Sequence, residues 1–139
     1  MTAHPRILLT RRWPEAVEQR AAARFEVTLN PDDRPLSEAE LAAAMRTHDA
    51  LCATITDRVT AAVLGIPDRR AGIVASYGVG YEHIDLAAAR AAGIRVTNTP
   101  GVLTDATADL ALTLILMTAR RSGEGERELR AGAWTGWRP

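Results

Sequence analysis

The chain has no lysine: all 17 of its Lys+Arg positions are arginine. Chemistry that needs a Schiff-base lysine, or the phosphate-gripping lysine of a Walker-type loop, is therefore excluded here. Cysteine is nearly absent as well. Cys52 is the single one, so no internal disulfide can form, and no zinc-ligand spacing exists. A reducing, cytoplasmic setting fits that usage. Net charge is also lacking, because 17 acidic residues balance the 17 basic ones. That balance argues against nucleic acid or an anionic membrane as the main partner. Long hydrophobic runs are missing too. The first, Ile7 to Leu9, is too short for a signal-peptide core. The longest, Leu110 to Ala119, is about half the length of a membrane span. There is no internal repeat and no low-complexity segment.

What remains is an ordinary globular composition. The 139 residues are 47% hydrophobic and 24% charged, enough for one compact domain with a real core. Short apolar runs alternate with helical stretches. Arg6–Thr10, Phe25–Leu29, Asp49–Ile55, Gly72–Ser76 and Ile94–Thr97 read as strands. Helices are expected from Pro14 to Arg24, with proline in the first turn, and from a Ser37 cap to Thr47. Glu40, three residues after Ser37, completes a capping box. Further helices are expected over Thr56–Leu64 and Asp85–Ala92, closed by Gly65 and Gly93. A long one, capped by Thr104, should end near Arg121, where the Arg120-Arg121 pair suits the negative helix end. Ser122–Arg130 is mixed in charge and helical. The alternation implies an α/β fold: a flavodoxin-like parallel five-stranded sheet with helices on both faces.

The long helix carries Leu110, Leu112, Leu114, Ile115, Leu116 and Met117 around nearly its whole circumference. A helix apolar on all sides must be covered on all sides. A five-stranded domain covers one face, so the other needs a further domain or a second subunit.

The stretch with most chemistry is Ser76-Tyr-Gly-Val-Gly-Tyr-Glu-His-Ile-Asp-Leu86. It falls at the carboxyl end of the fourth expected strand, the edge where open α/β sheets bind ligands. Gly78 and Gly80 allow a sharp turn and bring backbone N–H groups close to a ligand. Consecutive N–H groups lining one concavity bind an anion, and a small carboxylate is a natural guest. Gly78-Val-Gly80 also imitates the start of the dinucleotide fingerprint G-x-G-x-x-G. The third glycine would fall at His83, and no acidic residue follows about twenty positions on, so a pyrophosphate site is not expected here.

Other polar residues have simpler readings. His83 reads as a structural side chain bonded near the start of its helix. His48 reads as a favourable helix end. Cys52 reads as inert core, and Asp105 and Asp109 as dipole-favouring residues of the first helical turns.

Two segments carry a resemblance. Gly78-Val-Gly-Tyr-Glu-His-Ile-Asp-Leu86, with Gly93-Ile-Arg-Val-Thr-Asn-Thr-Pro-Gly-Val-Leu-Thr-Asp-Ala-Thr-Ala-Asp109, resembles the D-isomer-specific 2-hydroxyacid dehydrogenases. The glyoxylate/hydroxypyruvate reductase branch is the most similar, and Trp134-Thr-Gly-Trp137 is typical of that branch. The family usually has Asp at position 82, where this chain has Glu82. The resemblance implies hydride transfer between NAD or NADP and a small 2-keto or 2-hydroxy acid. It implies that the N–H groups of Val79 and Gly80, beside Gly78, hold the substrate carboxylate. The loop with Thr54 and Ile55 would line the pocket, and Thr107 would approach the nicotinamide. Trp137 would enter a neighbouring subunit's pocket. Residues 1–102 would form the substrate domain, and 103–139 the interdomain helix and dimerisation arm, with a homodimer built on 104–121 and the Trp134–Trp137 arm. The Rossmann cofactor domain and the family's catalytic Arg, Glu and His would lie outside this chain. His4, His48 and His83 do not match that histidine, and no metal site is expected. The isolated chain would then be inactive. The rival reading is a stand-alone module that binds small carboxylates or dimerises. A signalling receiver is disfavoured, because Thr10-Arg-Arg follows the first strand where an acidic cluster is required.

Overall fold

The computed structural model describes residues 4–137. It divides into two compact units, Met1–Pro100 and Gly101–Pro139.

The first unit holds five strands: β1 (Arg6–Leu9), β2 (Glu26–Thr28), β3 (Ala50–Thr54), β4 (Ile73–Tyr77) and β5 (Arg95–Thr97). All pair in parallel, in the order β2-β1-β3-β4-β5. This is the flavodoxin-like order expected from the alternation of strands and helices. The side-chain period of two divides each strand between two layers. Leu8, Leu51, Ala53 and Val74 face one side, where they pack with α2 (Glu38–Thr47), α3 (Ala61–Leu64) and α4 (Leu86–Ala91). Ile7, Leu9 and Cys52 face the other, against Trp13 and Ala21 of the α1 region (Glu15–Ala22). Leu9, Leu41, Met45, Leu51 and Val74 are fully buried.

Local signals set most boundaries. The Ser37 hydroxyl accepts from the Glu40 N–H while the Glu40 carboxylate accepts from the Ser37 N–H, so the capping box forms as expected. His48 closes α2. Its Nδ1 donates to the Ala44 carbonyl at 3.1 Å and its Nε2 meets Thr28 Oγ1 at 3.0 Å. Gly93 ends α4 with φ +67, a conformation costly for any residue with a Cβ.

Three expectations change. The helix expected over 56–64 is only the four residues of α3, because residues 55–60 form a loop organised by Asp57. Gly65 closes it without a positive φ. Thr104 is the first residue of its helix rather than the cap: Leu103 holds the cap position and no side chain bonds there.

The second unit consists of α5 (Thr104–Ala119) and α6 (Ser122–Arg130), followed by the Trp134–Trp137 segment. α5 has no buried residue; Leu110, Ile115 and Leu116 are 60%, 63% and 64% exposed. Trp134 and Trp137 meet edge to face with ring centres 5.9 Å apart. Among the described residues, no helix is long and apolar enough to cross a membrane.

Candidate functional site

Parallel strands deliver their following loops to one edge of the sheet. Five loops meet there, one after each strand. Buried polar side chains join them. Asp57, only 1% exposed, accepts the Thr54 N–H at 2.7 Å and the Thr10 hydroxyl at 2.5 Å. Asn30 donates to the Thr10 carbonyl at 2.8 Å. Arg11 reaches across to the Thr56 hydroxyl at 2.8 Å. The rings of Trp13 and Tyr77 lie 4.8 Å apart, which joins the ends of β1 and β4.

The loop after β4 is clamped at both ends. Val59 donates to the His83 carbonyl at 2.9 Å and accepts from the Asp85 N–H at 3.0 Å, a single parallel bridge between the β3 and β4 loops. At the other end, the Thr99 N–H donates to the Gly78 carbonyl at 3.0 Å and Asn98 Nδ2 donates to the Val79 carbonyl at 2.8 Å. The Ser76 hydroxyl makes a long contact of 3.5 Å with the Gly80 carbonyl. All three carbonyls of Gly78-Val79-Gly80 are thus held by the protein. Among the described residues, the N–H groups of Val79 and Gly80 have no acceptor.

Gly78 and Gly80 were expected to allow a turn. Neither has a positive φ. What they supply is clearance. A Cβ on Gly78 would stand 3.0 Å from Ile55 Cγ2, and one on Gly80 would stand 2.5 Å from Glu82 Oε2. The missing side chains let the Ile55 loop and the β4 loop approach each other.

His83 lies beside this turn rather than bonded at the start of α4, where Asp85 is the cap. Its Nε2 is 3.3 Å from the Ser76 hydroxyl. Burial holds its pKa below the ordinary 6.5, against the pull of Asp57 and Glu82. Cys52 is buried core as expected, its thiol pushed up to about 11 by burial.

The expected site residues are distributed as follows. Gly78, Val79, Gly80 and Ile55 come together. Ile55 is 67% exposed and Val79 39%. Thr54 is buried, its hydroxyl occupied by Thr56 at 3.0 Å. Thr107 is in α5, and Trp137 follows α6 and is 95% exposed. Asp57, Ser76 and Asn98 were not singled out beforehand. The pattern Thr-Ile-Thr-Asp57 is a side-chain-capped turn that could have been read locally. Asn98 gave no such signal.

A dinucleotide does not fit this turn. The third glycine of its fingerprint is absent. The following helix already has a carboxylate at its N-terminus, because Asp85 accepts from Ala88 at 2.9 Å. Among the described residues no cluster of His, Cys, Asp and Glu could hold a metal ion.

The fold and this edge define a doubly wound α/β domain whose β4 turn presents unpaired backbone donors. The sequence profile of the D-isomer specific 2-hydroxyacid dehydrogenase catalytic domain matches residues 7–134, and the chain belongs to that family. A glyoxylate reductase of Korarchaeum cryptofilum is 42% identical over 97% of this chain and 41% of its own length. A crystal structure from Thermus thermophilus superposes with TM-score 0.81 at 42% identity, over 96% of this chain and 43% of that one. An NADPH-dependent glyoxylate/hydroxypyruvate reductase of Sinorhizobium meliloti, solved with NADP and malonate, gives TM-score 0.78 at 34% identity. That match covers 99% of this chain and 42% of the other. The chain spans about two fifths of the length of the curated relatives it matches.

Proposed function

We propose that this chain is the substrate-domain part of an NAD(P)-dependent oxidoreductase that interconverts small 2-keto and 2-hydroxy acids of the glyoxylate or hydroxypyruvate type. The observation that carries this reading is the β4 turn. Its carbonyls are all engaged, while the Val79 and Gly80 N–H groups are free to donate to a carboxylate. Ile55 stands against Gly78 as an apolar wall of the same cleft. Family membership and the named activities of similar proteins support the substrate class.

On this reading Thr107 approaches the nicotinamide. Trp137 restricts a neighbouring subunit's pocket, and the apolar surface of α5 with the Trp134–Trp137 arm pairs two copies. NAD or NADP supplies the hydride when bound. The described residues here contribute carboxylate binding and shape, and the 139-residue chain alone does not turn over glyoxylate with NADH or NADPH.

The test is amide NMR on the 15N-labelled chain titrated with glyoxylate and hydroxypyruvate. Saturable shifts centred on Val79 and Gly80 are expected, and an uncharged analogue such as acetamide should produce none. Equal shifts with acetamide, or none with either acid, would reject the reading. A second reading, a stand-alone carboxylate-binding or dimerisation module, gives the same shifts. It differs in predicting that the chain works without a nicotinamide partner domain.

A further inference from the structure

The β4 turn owes its donor geometry to residues on another strand. A trans peptide unit is planar, with its C=O and N–H pointing to opposite sides of the C–N bond. There is no cis peptide bond in the described chain. Whatever holds the carbonyl of residue n therefore also fixes the direction of the N–H of residue n+1. The Gly78 carbonyl is held by the Thr99 N–H at 3.0 Å, so the Val79 N–H points the other way. The Val79 carbonyl is held by Asn98 Nδ2 at 2.8 Å, so the Gly80 N–H points the other way. A carbonyl only accepts, so the half of the Asn98 amide facing Val79 must be its NH2.

The two anchors differ in kind. Thr99 acts through backbone that follows β5, and no substitution short of proline removes it. Asn98 acts through a side chain, half-buried and reaching 19 residues back along the chain to the loop after β4. Without it, the described protein has no other group on the Val79 carbonyl. The Val79–Gly80 peptide could then rotate and turn its N–H away.

We propose that Asn98 is a positioning residue, whose side-chain amide sets the plane of the Val79–Gly80 peptide and so aims the Gly80 N–H at the substrate carboxylate. This rests on the carboxylate-binding reading above. Asn98 does not touch the substrate; it acts through the peptide it holds. The Val79 donor depends on Thr99 and is independent of Asn98, which gives an internal control.

The experiment uses the 15N-labelled 139-residue chain titrated with glyoxylate, comparing the native sequence with Asn98→Ala and Asn98→Asp. Both variants remove the donor; the aspartate keeps the size of the side chain. The expected result is a Kd for glyoxylate raised about tenfold in each, the effect of one misdirected hydrogen bond to a charged group. The glyoxylate-induced shift of the Gly80 amide should be lost, while that of Val79 persists. Core amides such as Val74 and the melting temperature should stay at native values. A Kd within twofold of the native chain in Asn98→Asp, with the Gly80 shift intact, overturns the inference and leaves the carboxylate reading standing. Absence of any saturable shift at Val79 or Gly80 in the native chain overturns both. Uniform shift changes across the first unit would overturn it as well, because they mark a general structural role.

Discussion

The carboxylate of Asp57 accepts the backbone N–H of Thr54 at 2.7 Å, three residues back, and this bond folds the chain over at the end of β3. The same oxygen takes the Thr10 hydroxyl from the end of β1. One buried side chain thereby ties together the two loops that flank the cleft. Its other oxygen, Oδ1, is buried without a hydrogen-bond partner among the described residues.

Replacing Asp57 should therefore destabilise the first unit. Asp57→Ala leaves the Thr54 N–H without its acceptor, which costs about 1–3 kcal/mol, while the Thr10 hydroxyl keeps the Cys52 carbonyl at 3.2 Å. Asp57→Asn keeps an acceptor oxygen in place and should cost less. Urea unfolding of the two variants beside the native chain checks the order. An alanine variant as stable as the native chain would show that the Thr54 N–H finds another partner.

His83 gives the stability a pH dependence. Its native pKa lies below the unfolded value of 6.5 because burial disfavours the charged ring. Between those values the unfolded chain binds more protons than the native one, so stability rises with pH. The contribution is complete above 6.5 and fades as pH falls through the lower, native value. The His83→Gln variant should show a flatter melting temperature over pH 5 to 7 than the native chain. Identical profiles would mean that the ring titrates as freely folded as unfolded.

The apolar circumference of α5 predicts self-association. Leu112 and Ile115 are 59% and 63% exposed. A contiguous surface of such residues is not left in water by a stable monomer. Sedimentation at micromolar concentration should show dimers or larger species, and Leu112→Glu with Ile115→Glu should shift them toward monomer. A native chain that sediments as a clean monomer would oppose the pairing.

Features that depend on neighbours in sequence were legible early. The capping box of Ser37 and Glu40, the stop at Gly93, and the strand runs are all written within a few residues. The sheet order followed from alternating strands and helices with right-handed crossovers. Asp57 was missed because Thr56–Leu64 has a helix-like apolar pattern, and a side-chain bond to a backbone N–H outcompetes the helix there. Asn98 was missed for a different reason. Its partner becomes a neighbour only once β4 and β5 pair in register, with Ala75 opposite Thr97. The glycines of the turn were located from the sequence as a place for a sharp turn and a close backbone approach. The structure adds which neighbours fill the space, Ile55 beside Gly78 and Glu82 beside Gly80, with no positive φ at either. The proposal that Val79 and Gly80 hold a carboxylate came from the family resemblance and from the position of the turn at the sheet edge.

The donors of the β4 turn are peptide groups, and peptide groups carry no formal charge and do not titrate. On the proposed reading, an anion seat built this way presents the same donors at pH 5 and at pH 9. Any change in its preference must come from the guest or from surrounding side chains. Only proline deletes such an N–H, and on the proposed reading the aim of the Gly80 donor rests on Asn98. The side chain of Val79, 39% exposed, is thereby left free to change shape without disturbing the seat. Variation at that one position can alter which acid fits while the means of holding it stays constant.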